Sequence, residues 1–379
     1  MSTSEVQELP RRSDSFLSAS LHNNPLLYPG QTPEVSFVTN GEMVEALRFD
    51  PTEGLSSLVV SNGGADESLD EYLARHNASP LQGRIPIIGY GANINPGSLI
   101  KKFGKNENRP DLMVVPTVYA SLPDHDVVWS GGPGINGNFI ANLYAGEEVE
   151  GTDVRVGLNL VTPEQALMLH ATELSYQLSP VEVKIGSVGL KAYFYAGQDS
   201  VHLRYGRPVA VREVPATDRR LDEATTREML HGTLAMSEVQ TMLHEAYPQL
   251  DGTELDADRY VAFIRSLKKP KGSQETPRGD LKARMAASLR DLGLVRVVDS
   301  SQGGNFANWA NPATLDMIGN ESPTGSMVYR VPEMELPFGE WQGEAVQAER
   351  RKILKAVGTH HQRMSGLEQV IADESRGQA

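Results

Sequence analysis

The run Ile85-Pro86-Ile87-Ile88-Gly89-Tyr90-Gly91-Ala92-Asn93-Ile94-Asn95-Pro96-Gly97-Ser98-Leu99 constrains the chain more than any other stretch. Ile85, Ile87 and Ile88 form a short apolar block of the kind found in a strand buried on both faces. Gly89 and Gly91 flank Tyr90 and allow a turn where side chains would clash. Asn95 is a good helix N-cap, and Pro96 at the first helical position lacks only an N–H that would be unpaired anyway. Leu99, Ile100 and Phe103 then give the helix an inner face, and Gly104 ends it. A strand feeding such a turn leaves several backbone N–H groups pointing one way, a site suited to an anion, a carboxylate or an oxyanion.

Around this unit, residues 82–215 read as one domain dense in strands. Strand patterns fall at Leu112–Ala120, Val127–Trp129, Asn138–Tyr144, Val154–Val161, Val181–Ile185, Leu190–Ala196 and Pro208–Val214. Thr162-Pro163-Glu164-Gln165 is a capping box with proline at the first helical position, and it predicts a helix running to about Leu174. So many strands with few helices between them predict an α+β fold built on a mixed barrel or strongly curved sheet with flanking helices. Residues 1–33 are polar and read as a flexible tail. Residues 34–81 read as an extension packing on the core, with a strand around Phe37, a helical turn over Met43–Leu47, a strand over Ser57–Val60 and a helix over Ser68–His76. Residues 216–379 read as a mainly helical extension. Its helices are expected at Asp222–Leu234, Ser237–Ala246, Asp256–Lys268, Asp280–Leu292 and Trp341–Ser375, with a strand at Leu294–Val298.

Bulk properties narrow the function classes. The net charge of −14 over 379 residues argues against a sequence-independent grip on nucleic acid or an anionic membrane, since both need a basic surface. No apolar stretch reaches membrane-spanning length. Arg11 and Arg12 are followed by no apolar segment of the secretory kind. With no cysteine there is no disulfide and no thiolate nucleophile or ligand, and the expected compartment is the cytoplasm.

Glu173 is the main candidate for acid–base chemistry. In the helix that starts at Pro163 it falls beside Ala166 and Leu169, at the edge of an inward arc of Leu167, His170, Ala171 and Leu174. The helix C-terminus and apolar neighbours both disfavour its charged form, which raises its affinity for a proton. An exposed glutamate beside a helix end is the plain alternative. Gly132-Pro133-Gly134-Ile135-Asn136-Gly137 has dinucleotide-fingerprint spacing, but a strand pattern follows it where a helix should, so it reads as a mobile or substrate-facing hairpin loop. His360-His361 and His244-Glu245 lack metal-ligand spacing, and no serine lies in a nucleophile elbow.

Taken together, these pieces resemble the gamma-glutamylcyclotransferase family. Tyr90-Gly91-Ala92-Asn93 followed by Pro96-Gly97 is similar to that family's signature turn, with Ala92 where serine is usual. Gly137-Asn138-Phe139-Ile140-Ala141-Asn142-Leu143, then Gly146-Glu147-Glu148-Val149, then the capped helix ending in Ala171-Thr172-Glu173-Leu174-Ser175-Tyr176, follow in the family's order. The resemblance covers about residues 82 to 214. It implies that Glu173 is the catalytic acid/base and that Tyr90, Gly91, Ala92, Asn93 and Tyr176 bind substrate. The implied substrate is a small gamma-glutamyl compound, cyclised to 5-oxoproline with release of an amine and with no cofactor or metal. The alternatives are a non-catalytic scaffold on the same fold, with protein partners or self-association through the C-terminal helices, or a related acyl or amide transfer.

Overall fold

The structure is a computed structural model that describes residues 11–12, 16, 24–50, 52, 54–62, 65–104, 109–170, 177–196, 200–250, 255–267 and 277–298. Strands β1 (Arg11–Arg12), β2 (Phe37–Thr39), β3 (Met43–Arg48), β4 (Val59–Asn62) and β5 (Ala65–Ser68) precede helix α1 (Leu69–Arg75). Then come β6 (Ile85–Gly89), α2 (Pro96–Phe103), β7 (Val115–Pro123), β8 (Asp126–Pro133) and β9 (Phe139–Tyr144). The chain continues through β10 (Asp153–Val161), α3 (Pro163–His170), β11 (Gln177–Ile185) and β12 (Val188–Ala196). Four short strands and a longer one follow: β13 (Ser200–Arg204), β14 (Arg207–Pro208), β15 (Ala210–Val211), β16 (Ala216–Thr217) and β17 (Glu223–Ala224). Helices α4 (Thr226–Leu234), α5 (Ser237–Ala246), α6 (Ala257–Ser266) and α7 (Pro277–Asp291) lead to β18 (Val295–Val297).

The fold is α+β, and its centre is a closed, mixed, five-stranded barrel. The order around it is β6–β10–β7–β11–β12 and back to β6. Four seams are antiparallel, and the β12–β6 seam, where Tyr193 faces Ile87, is parallel. One edge of β7 is shared. Its start pairs with β2, while Ser121 further along pairs with Lys184 of β11, so the β2–β5 meander fans out from the barrel there.

Strands β6 and β10 read as nearly continuous apolar runs because both faces are covered, whereas β11 and β12 carry the exposed Glu182, Lys184 and Lys191. Val154, Val156, Leu158 and Leu160 of β10 join one large apolar cluster with Ile88 and Val118. Ile85, Ile87 and Val161 instead pack with Leu99 and Phe103 of α2 and with Ala166 and Leu169 of α3.

A second sheet, in the order β14–β13–β8–β15–β17 with β9 on β8 and β18 on β13, adjoins the barrel. Helices α4 and α7 pack on its β9 and β8 strands. Trp129 of β8 is fully buried, and its indole N–H donates to the Ala224 carbonyl at 2.8 Å. Below it, Asp126 is wholly buried and receives two guanidinium bonds from Arg219, at 2.8 and 2.7 Å. No described helix is long and apolar enough to cross a membrane.

Several expectations need correction. Met43–Leu47 is strand and not a helical turn. Asn40 starts a tight turn by accepting the N–H groups of Glu42 and Met43 at 3.0 and 2.8 Å, so pairing with β2 overrides the local pattern. Pro208–Val214 is not one strand but the short β14 and β15, and β13 before it carried no clear strand signal. Residues 1–33 were expected to be flexible, yet those described among them are built into the fold. Arg11 and Arg12 pair with Val44 and Met43, Phe16 is fully buried, and Tyr28 is 7% exposed. Their apolar residues are too sparse to show periodicity, but Phe16, Leu26 and Tyr28 are buried, while Leu27 is exposed.

The Gly132–Gly137 loop joins β8 to β9 as a hairpin, but part of it lies under helices. A side chain at Gly132 would crowd Ala286 at 3.3 Å, and one at Gly137 would meet Ile264 at 2.6 Å. Helices α4 to α7 lie within the predicted spans, apart from an earlier start for α7, and Trp341–Ser375 lies outside the described residues.

Candidate functional site

The Tyr90–Asn93 turn leaves the end of β6 and folds back across β10. Ala92–Ile94 form one 3-10 turn, and Asn95 then caps α2 through its side-chain oxygen, 2.8 Å from the Ser98 nitrogen. Pro96 is at the first helical position, Gly104 follows the last, and Leu99, Ile100 and Phe103 are buried, as the sequence pattern requires. No side chain caps the Ala92–Ile94 turn, whose N-cap position is Gly91. Its leading N–H groups therefore rely on partners other than a capping side chain.

Four contacts hold the turn. The Tyr90 hydroxyl donates to the Tyr195 carbonyl of β12, and both residues are buried. The Asn93 carbonyl accepts from Asn159 Nδ2 at 2.9 Å, and Asn159 Oδ1 accepts from Thr117 Oγ1 at 2.8 Å. Asn159 and Thr117 are both fully buried, so this chain of bonds is shielded from water and specifies the turn's position. The Asn93 side-chain oxygen accepts from the Lys102 ammonium at 2.5 Å, which puts a cation at the turn. Finally, Gly91 lies against the Tyr28 hydroxyl, which accepts the Ala141 N–H of β9 at 3.0 Å. Tyr28 also packs on Trp129, with ring centres 6.0 Å apart.

Among the sequence-predicted site residues, Tyr90, Gly91, Ala92 and Asn93 thus form one anchored turn. Glu173 and Tyr176 lie outside the described residues. The elements on either side of them are described. The capping box before α3 forms in both directions, with Thr162 N to Gln165 Oε1 at 2.7 Å and Gln165 N to Thr162 Oγ1 at 3.2 Å. Ala166 and Leu169 on that helix are fully buried. On the other side, Gln177 pairs with Ala196 and Leu178 with Tyr195, the residue whose carbonyl holds Tyr90.

Tyr28, Lys102, Thr117, Asn159 and Tyr195 shape the turn and were not singled out from the sequence. Asn159 did carry a signal, as a lone amide inside the apolar run Val154–Val161. Tyr28 carried none, since it lies far upstream in a polar segment. Among the described residues no group of three or more His, Asp or Glu side chains is arranged to hold a metal ion.

Comparison with known proteins finds no matching family model, no similar curated protein and no similar solved structure.

Proposed function

We propose that the chain is an enzyme of the gamma-glutamylcyclotransferase type. The observation that carries this reading is the bond from Tyr90 to the carbonyl of Tyr195. It ties the signature turn to the strand pair that begins at Gln177, the residue directly after Tyr176.

In the proposed reaction the glutamyl part of the substrate lies on the Tyr90–Asn93 turn, with Tyr176 as a further contact. The substrate's alpha-amine attacks its own gamma-carbonyl carbon. Glu173 removes a proton from that amine, and backbone N–H groups of the turn stabilise the developing oxyanion. The bond from the carbonyl to the leaving nitrogen then breaks, Glu173 returns the proton to that nitrogen, and 5-oxoproline and a free amine depart. Because the nucleophile belongs to the substrate, proximity supplies much of the rate, and the residues named suffice without a cofactor.

The test is release of 5-oxoproline from a panel of gamma-glutamyl amines, amino acids and peptides, followed by mass spectrometry. Glu173→Gln should abolish release while leaving the circular dichroism spectrum unchanged, and Tyr90→Phe should reduce it. Full activity in Glu173→Gln, or no release from any compound by the wild type, overturns the proposal.

A further inference from the structure

The hairpin that joins β13 to β14 breaks two local rules at one exposed place. Its two-residue turn is Tyr205-Gly206, with φ of +52° and +77°. Turns of this handedness favour Asn-Gly or Asp-Gly, and a bulky aromatic at positive φ is strained. Tyr205 gains nothing from packing, since it is 91% exposed. On either side, Arg204 and Arg207 are direct cross-strand partners, an arrangement in which like charges repel. Neither arginine forms an ion pair among the described residues.

An acidic turn sits beside this tip. Arg296 of β18 links the two, since Nη2 donates to the Gly206 carbonyl at 2.7 Å and Nη1 donates to Glu148 Oε1 at 2.5 Å. Glu148 is thereby neutralised, but Glu147 and Glu150 on the same turn are exposed and make no ion pair among the described residues. A basic tip and an acidic turn side by side on one face are self-complementary under a two-fold rotation, the requirement for an isologous interface.

We propose that this face is a two-fold interface between copies of the chain. The Arg204–Arg207 tip of each copy docks on the Glu147–Glu150 turn of the other, and Tyr205 provides the aromatic anchor. Tyrosine and arginine are the residue types that most often dominate such contacts. A small ligand fits this place poorly. The tip is convex, and a side chain at Gly206 would meet nothing within 4 Å. Nucleic acid fits poorly too. Two free guanidiniums on a chain of net charge −14 fall well short of the roughly six to ten phosphate contacts that give strong salt-dependent binding. The exposed Glu147 and Glu150 of a second copy supply the complementary surface.

Sedimentation of the full chain at low salt tests the proposal. The wild type should dimerise, and added salt should weaken the dimer. Arg204→Glu/Arg207→Glu and Glu147→Lys/Glu150→Lys should each weaken association by ~10-fold or more. An equimolar mixture of the two variants should restore it, because each acidic tip then meets a basic turn and each basic tip an acidic one. Tyr205→Asn should weaken the dimer while raising the thermal midpoint in dilute solution by about 2 °C, since it relieves the turn. A wild type that is monomeric at high micromolar concentration overturns the proposal, even if the tip binds a single-stranded oligonucleotide. So do charge variants that dimerise like the wild type, or a mixture that fails to restore association.

Discussion

Gly89 of β6 and Gly157 of β10 face each other across the barrel ladder, and the Ala92–Ile94 turn occupies the space their missing side chains leave. A methyl group on Gly89 would lie 2.7 Å from the Asn93 carbonyl carbon, and one on Gly157 would lie 2.7 Å from Ile94 Cγ1. Both collisions fall on the candidate site, one of them on main chain that cannot swing aside.

Either Gly89→Ala or Gly157→Ala should therefore cost about 1–3 kcal/mol of stability, the range for overpacking. It should also displace the turn and lower 5-oxoproline release. Urea denaturation and the release assay measure the two effects separately. Unchanged stability in both variants would refute the crowding argument.

A second prediction concerns Asp126 and Arg219. With the carboxylate wholly buried and the arginine side chain 7% exposed, removing one partner strands a charge in the core. Arg219→Met should destabilise the protein by about 3–5 kcal/mol. Asp126→Leu/Arg219→Met, which removes both charges, should recover most of that loss. Chemical denaturation of the three proteins decides the matter, and the expectation fails if the double variant is the least stable.

A pH dependence follows from His202. The ring is 6% exposed, packs edge-on against Phe139 at 5.4 Å, and leaves Nδ1 without a partner among the described residues. Burial, with Arg204 nearby, pushes its pKa down from 6.5 to about 4. The unfolded chain then binds a proton below pH 6.5 that the folded chain refuses until about pH 4. This contribution is thus complete above pH 6.5 and is lost as pH falls to about 4, by about 3 kcal/mol in all. His202→Gln should flatten the urea midpoint against pH across that window, relative to the wild type. Parallel curves would show that the histidine binds its proton equally well in the folded and unfolded chain.

What could be foreseen divides along physical lines. The unit from Ile85 to Gly104 was legible because its signals are local: apolar strand residues, Asn95 as cap, Pro96 at the first turn and Gly104 after the last. Helix α5 was read to its ends, Ser237 and Ala246, although no side chain caps its start. Met43–Leu47 was misread because its strand state comes from pairing with β2. The β13–β14 hairpin was missed because Tyr205-Gly206 stands where a recognisable hairpin turn would have asparagine or aspartate first. Within the site, the turn was readable but its supports were not. Tyr28, Asn159 and Tyr195 reach it only through folding, from positions far apart in the chain.

The parallel seam between β6 and β12 joins the partners most widely separated in sequence among the five seams of the barrel, Ile87 with Tyr193. It is the seam with the largest entropic cost of loop closure, and so the one favoured least until the others exist. Tyr90 lies just past the end of β6, and Tyr195 lies further along β12. An open barrel keeps the contacts of Asn159, Lys102 and Tyr28 with the turn but lacks the bond from Tyr90 to Tyr195. Closing the cylinder and setting the last of the turn's four anchors are a single event, so the population of ring-closed molecules sets an upper limit on the number with a fully anchored turn.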